Sequence, residues 1–205
     1  MHLEILSDQQ RELLPFISHF KRSFYLVGGT AIALHIGHRR SIDFDLFTTK
    51  KLNKSRIRQK VFELPYSKKT LFDDVDQAHF YINQVQTTFF QYIYPVEHKE
   101  MLDGVISMPS LLSLSAMKAF ALGRRAKWKD YVDLYFIING YFDVKDISNE
   151  ADRIFGQMFS EKLFYAQLAF HKDLDYSEPV EYMPGFEIEE QVIKDFLIEK
   201  SLNIM

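Results

Sequence analysis

The chain has 205 residues, 47% of them apolar, and a net charge of −3, so it can build a sizeable core and is no basic nucleic-acid coat protein; any polyanion contact must come from a local patch. It has no cysteine, which excludes a disulfide framework and thiolate-bound zinc. Residues 1–5 carry no leader pattern and no run approaches ~18 apolar residues, so the expectation is a soluble cytoplasmic protein without a membrane span.

In chain order, Leu13, Leu14, Ile17 and Phe20 recur at helical spacing and predict an opening helix over residues 9–20. A short apolar strand over residues 24–27 runs into Gly28 and Gly29, and a helix over 31–36 stops at Gly37. Residues 42–47 alternate with period two and read as a second strand. A helix with Lys and Arg on its outer face fits residues 52–64 and ends at Pro65. Strands over 70–75, 79–83 and 87–92 form an antiparallel meander, with turns at Asp76-Gln77 and Asn83-Gln84 and one more short strand over 104–107. Ser107 is the expected cap of a helix with Pro109 in its first turn and Gly123 at its end. Helices over 128–138 (stopped by Asn139-Gly140), 147–155, 161–170 and 188–202 complete the chain. The organisation is α+β, with an α/β core over residues 1–107 and a helical bundle over 108–205 packed on it.

The chemistry concentrates between Tyr25 and Phe47. In the second strand Ile42, Phe44 and Leu46 point to one side and Asp43 and Asp45 to the other, about 6–7 Å apart. Two like charges on one face of an apolar strand repel each other, and a divalent cation relieves both repulsion and desolvation. An oxygen-only donor set favours Mg²⁺ or Mn²⁺ over zinc. Gly28 and Gly29 let backbone approach a ligand closely, the following helix start suits phosphate oxygens, and Thr30 adds a hydroxyl. Either feature alone is common; together they describe a nucleoside triphosphate site. His35 and His38 flank a glycine and lack a third ligand for zinc.

Two stretches carry a family resemblance. Tyr25-Leu26-Val27-Gly28-Gly29-Thr30-Ala31 followed by His38-Arg39-Arg40-Ser41-Ile42-Asp43-Phe44-Asp45-Leu46-Phe47 resembles the signature of AbiEii-type nucleotidyltransferase toxins, within the polymerase-β-like superfamily. Ser115-Ala116-Met117-Lys118 and Lys127-Trp128-Lys129-Asp130-Tyr131-Val132-Asp133 resemble its later motifs. The resemblance covers residues 20–140. It implies a polymerase-β-like core with a mixed sheet, Asp43 and Asp45 as Mg²⁺ ligands, and Gly28, Gly29 and Thr30 holding the triphosphate with support from Arg39 and Ser41. It further implies active-site roles for Lys118, as a charge neutraliser, and Asp130, as general base or metal support, with Asp133 in a supporting role. The superfamily's third metal-binding acid is missing from the strand over 87–92, which carries Gln91 and no acid.

The activity so implied is transfer of NMP from an NTP to tRNA or another RNA, by the toxin of a toxin–antitoxin pair. Lys118, Arg124, Arg125, Lys127 and Lys129 crowd one window and would suit a polyanionic substrate. Two rivals share the core: an antibiotic-type nucleotidyltransferase acting on a small molecule, and a non-catalytic nucleotide-binding module.

Overall fold

The computed structural model describes residues 1–122 and 124–202. The expected helix stop at Gly123 lies outside the described residues. The chain divides into two compact units, Met1–Ser110 and Leu111–Met205.

In the first unit a capping box, Ser7 with Gln10, starts α1 (Asp8–Ser18), which buries Leu13, Phe16 and Ile17. Strand β1 (Tyr25–Val27) leads without a loop into α2 (Gly28–Ile36), so the diglycine is the helix's own first turn rather than a link before it. Gly37 ends α2 in the left-handed conformation, φ 80°. Then follow β2 (Asp43–Thr48), α3 (Lys54–Phe62), β3 (Lys68–Asp74), β4 (Gln77–Ile82) and β5 (Val85–Gln91). These strands form a mixed sheet in the order β1-β2-β5-β4-β3, in which only the β2–β5 pair is parallel. The meander β3-β4-β5 turns at Asn83 and Gln84, both at positive φ.

One face of this sheet is dry. Phe44 and Leu46 of β2 are fully buried, and Phe89 of β5 meets Phe20, Phe24 and Phe80 edge-on at centroid distances of 4.8, 5.3 and 6.1 Å. Ile42 departs from the expected core-facing set. It precedes the strand and is 62% exposed, while Thr48 takes the last inward position. Ser107 is likewise no helix cap. It lies in β7 (Ile106–Met108), pairs with β6 (Glu100–Leu102), and its hydroxyl is 2.9 Å from His98 Nδ1.

The second unit consists, among the described residues, of α4 (Leu111–Leu122), α5 (Trp128–Gly140), α6 (Val144–Phe155), α7 (Glu161–Ala169) and α8 (Glu190–Leu202). Helix α5 runs through Asn139 and Gly140, where a stop was expected. Phe120 stacks on Phe155 with centroids 4.0 Å apart, and Leu134, Phe164, Leu168, Ile193 and Leu197 are buried. Among the described residues no helix is long and apolar enough to cross a membrane.

Candidate active site

Strand β2 alternates half-buried and buried residues along its length, which sets Asp43 and Asp45 on the face opposite the Phe-rich core. Register places Val27, the last residue of β1, directly across from Asp45. The chain turns into α2 at that point, and Gly28 has φ +74°, a conformation that side chains rarely adopt. A Cβ on Gly28 would collide with Asp45 Oδ2 and sit 3.2 Å from its Cγ. The helix's first backbone atoms therefore lie against the Asp45 carboxylate because residue 28 has no side chain.

Gly29 is used in the same way. A Cβ there would sit 2.5 Å from Arg39 Nη2 and 3.3 Å from Ser41 Oγ. Arg39 is buried and donates from Nη1 to the Arg40 carbonyl at 2.9 Å. Thr30, also buried, donates its hydroxyl proton to the Asp43 carbonyl. Its Oγ1 is 2.9 Å from Ser41 Oγ, and since Thr30 has one proton to give, Ser41 is the donor in that pair. The first turn of α2 and the start of β2 are thus tied together through side chain and backbone. Gly28, Gly29, Thr30, Arg39, Ser41, Asp43 and Asp45 are all gathered in the first unit.

The row beyond the aspartates is visible only in the sheet register. Gln86 lies across from Asp43 and Thr88 across from Asp45, whereas Gln91 pairs with Thr48 at the far end of the strand. Gln86 and Thr88, rather than Gln91, hold the positions nearest the aspartates on the neighbouring strand. Thr88 is followed in register by His79 and then Phe72, whose ring meets the imidazole edge-on at 5.7 Å. Burial holds His79 below the ordinary histidine range, with the Asp45 charge opposing that shift. Among the described residues no group of three or more His, Cys, Asp or Glu is placed to hold a metal ion.

In the helical unit, Lys118 of α4 neither snorkels to water nor stands alone. Its Nζ is 2.7 Å from Asp130 Oδ1 and 2.8 Å from Asp133 Oδ2, with both carboxylates fully buried. The i, i+3 spacing of the aspartates on α5 puts them on one face and lets one ammonium serve both. Arg125 approaches Asp130 from the other side, Nε to Oδ2 at 2.9 Å, with half its side chain exposed. Burial alone would raise the Asp130 pKa, but the Lys118 and Arg125 cations outweigh it and hold the carboxyl below its usual range.

The pairing of Arg125 with Asp130 was hidden from sequence reasoning, since nothing in a five-residue separation across a helix start signals an ion pair. The basic window is also less basic than its composition. Lys127 and Lys129 both pair with Glu178, and Arg124 lies over the Phe120 ring at 4.2 Å.

Known proteins supply an independent line. The sequence model of the family described as "Nucleotidyl transferase AbiEii toxin, Type IV TA system" matches residues 16–198. The chain is 32% identical over 149 residues to "Uncharacterized protein aq_aa25" of Aquifex aeolicus (strain VF5), spanning 69% of this chain and 72% of that one. Its fold is similar to that of JHP933 from Helicobacter pylori, with TM-score 0.60, 17% identity, and coverage of 96% of this chain and 92% of the other. It is also similar to MenT4, the nucleotidyltransferase toxin Rv2826c from Mycobacterium tuberculosis H37Rv. There the TM-score is 0.63 at 10% identity, covering 94% and 81%. With the family match extending over most of its length, the chain belongs to the AbiEii nucleotidyl transferase toxins and is a nucleotidyltransferase.

Proposed function

We propose that this nucleotidyltransferase moves a nucleoside monophosphate from an NTP to a hydroxyl of an RNA, tRNA included, in the cytoplasm, with Mg²⁺ or Mn²⁺ as cofactor and a cognate antitoxin as its restraint. The observation that carries this reading is the packing of the side-chain-free Gly28 against the Asp45 carboxylate. It brings a helix start, suited to phosphate, beside an acid, suited to a cation. A phosphate and a carboxylate that close would repel each other unless a cation lay between them.

The donor set fits a hard divalent cation. Asp43 and Asp45 offer carboxylate oxygens on one face of β2, and Mg²⁺ is commonly held by one or two carboxylates with phosphate and water completing its shell. The absence of a third acid in register is compatible with that. When bound, such a cation neutralises the triphosphate and favours ionisation of the acceptor hydroxyl. The chain's own residues do the rest. The amides of the first α2 turn, which have no partner within the helix, receive phosphate oxygens. The Thr30–Ser41 pair fixes the Asp43 backbone and hence the aim of its carboxylate. The acceptor oxygen forms a bond to the α-phosphorus, the bond to the β-phosphate's bridging oxygen breaks, pyrophosphate leaves, and the hydroxyl proton passes to solvent.

For Lys118 and Asp130 the helical unit's own geometry narrows the roles. A carboxylate held ionised by two cations is a weak base, which favours Asp130 as the group that positions Lys118 and Arg125. Labelled NTP, Mg²⁺ and total tRNA test the reading directly. Wild type should label RNA, and Asp45→Asn should lose the transfer by ~10²-fold or more while keeping its melting temperature. Equal labelling by the two proteins would remove Asp45 from the chemistry.

A further inference from the structure

We propose that a basic cavity at the end of the sheet away from the diglycine binds the phosphodiester backbone of the RNA acceptor; the choice of RNA rests on the function proposed above. The cavity, of about 270 Å³, lies in the first unit. Three separate segments converge on it. His19 and Arg22 come from the link between α1 and β1, Lys50 and Lys51 from the link between β2 and α3, and Arg56 from the first turn of α3. Phe20 and Phe24 line it from the core side.

The lining contains no acid. Among the described residues, none of these five side chains pairs with a carboxylate. Several neighbouring cations, by contrast, are matched. On α3 itself, Lys54 and Arg58 share Asp73. Glu63 is held by Lys60 and Gln59. In the helical unit Lys118, Arg125, Lys127 and Lys129 all have acidic partners. Four permanent cations gathered without an acid, in a chain of net charge −3, make a local field aimed at a polyanion.

The position selects a polymer over a mononucleotide. Thr48, which lines the cavity, is three residues along β2 from Asp45, or ~10 Å of strand, and points to the other face. The cavity is thus a second place for phosphate, apart from Asp45, which a polymer with many phosphates can occupy while one nucleotide is held at the aspartates. Arg22 and Arg56 supply planar forks that match phosphate oxygens, and the lysines supply mobile point charges.

The test is RNA binding by fluorescence anisotropy, without nucleotide or divalent cation, so that it stays separate from the labelling assay of Asp45. Wild type should bind a labelled single-stranded RNA oligonucleotide with marked salt dependence. Arg22→Glu/Arg56→Glu should bind ~10-fold or more weakly and lower the log–log salt slope by about 1.4, because two phosphates are no longer neutralised. Lys162→Glu/Lys172→Glu, exposed positions on the helical unit with the same change in net charge, should stay within about twofold of wild type. Lys50→Ala/Lys51→Ala, which introduces no acid, is the second variant and should also weaken binding. Equal affinity of the cavity variants and the control would overturn the proposal, as would absence of RNA binding by wild type at low salt. Displacement of RNA by polyglutamate as readily as by unlabelled RNA would overturn it in favour of an acidic protein partner.

Discussion

At the scale of single residues the site depends on what Gly28 lacks. Two effects would act on Gly28→Ala: strain from φ +74°, and the collision of the new methyl with Asp45 Oδ2. The strain should cost about 1–2 kcal/mol, and the collision should displace the carboxylate and reduce nucleotidyl transfer by ~10²-fold. Gly37→Ala separates the two. Gly37 has nearly the same φ, +80°, but the nearest atoms its methyl would meet are those of the His2 ring, away from the aspartates. It should lose similar stability in urea titration and retain transfer. If both variants lose activity in proportion to stability, Gly28 matters to the fold alone. Asp-x-Asp and Gly-Gly were legible as letters. The contact between them was not, because it depends on the β1–β2 register that sets Val27 across from Asp45. The Thr30–Ser41 tie is of the same kind, joining residues on two elements.

At the scale of elements, period-two and helical patterns located most strands and helices, because each buries one face. The failures have physical causes. Ile42 alternates with Phe44 and Leu46 but precedes the first ladder pair, so no neighbouring strand covers it. Strand β6, three residues flanked by irregular chain, is too short for periodicity to register. Ser107 has the chemistry of a cap but sits in β7 across from Met101. Lys118, Asp130 and Asp133 were legible as residues, but not that α5 turns both acids onto one buried ammonium. This α4–α5 clasp predicts a pH dependence. Unfolded Asp titrates near 3.9, and folded Asp130 lies below that, because Lys118 and Arg125 outweigh its burial. Its contribution is therefore complete above about pH 4 and is lost as pH falls through the folded value. Asp130→Asn should be destabilised at neutral pH, and its gap from wild type should narrow below about pH 4 in chemical denaturation. A gap that is constant with pH would mean that Asp130 is not held ionised by its neighbours.

At the scale of the whole molecule, adjacency in sequence proved a poor guide to where charge is available. The cations of residues 118–129 crowd one window of sequence, yet folding matches all but Arg124 with Asp130, Asp133 and Glu178. The acid-free cavity takes its cations from positions 22, 50, 51 and 56, which only the fold assembles. Such a division has a consequence for a chain of this family, whose members are described as toxins. If harm to the cell comes from nucleotidyl transfer, expression should arrest growth through the acids of β2 and not through the mere presence of a cation-bearing surface. Induced wild type should then reduce colony formation by orders of magnitude. Asp45→Asn, at equal protein level and with the basic cavity intact, should restore it, and Gly37→Ala should not. The rival cause is nonspecific RNA capture by the cavity, which would need no transfer and would leave Asp45→Asn as toxic as wild type. Colony counts on inducing plates, paired with immunoblots for expression, separate the two.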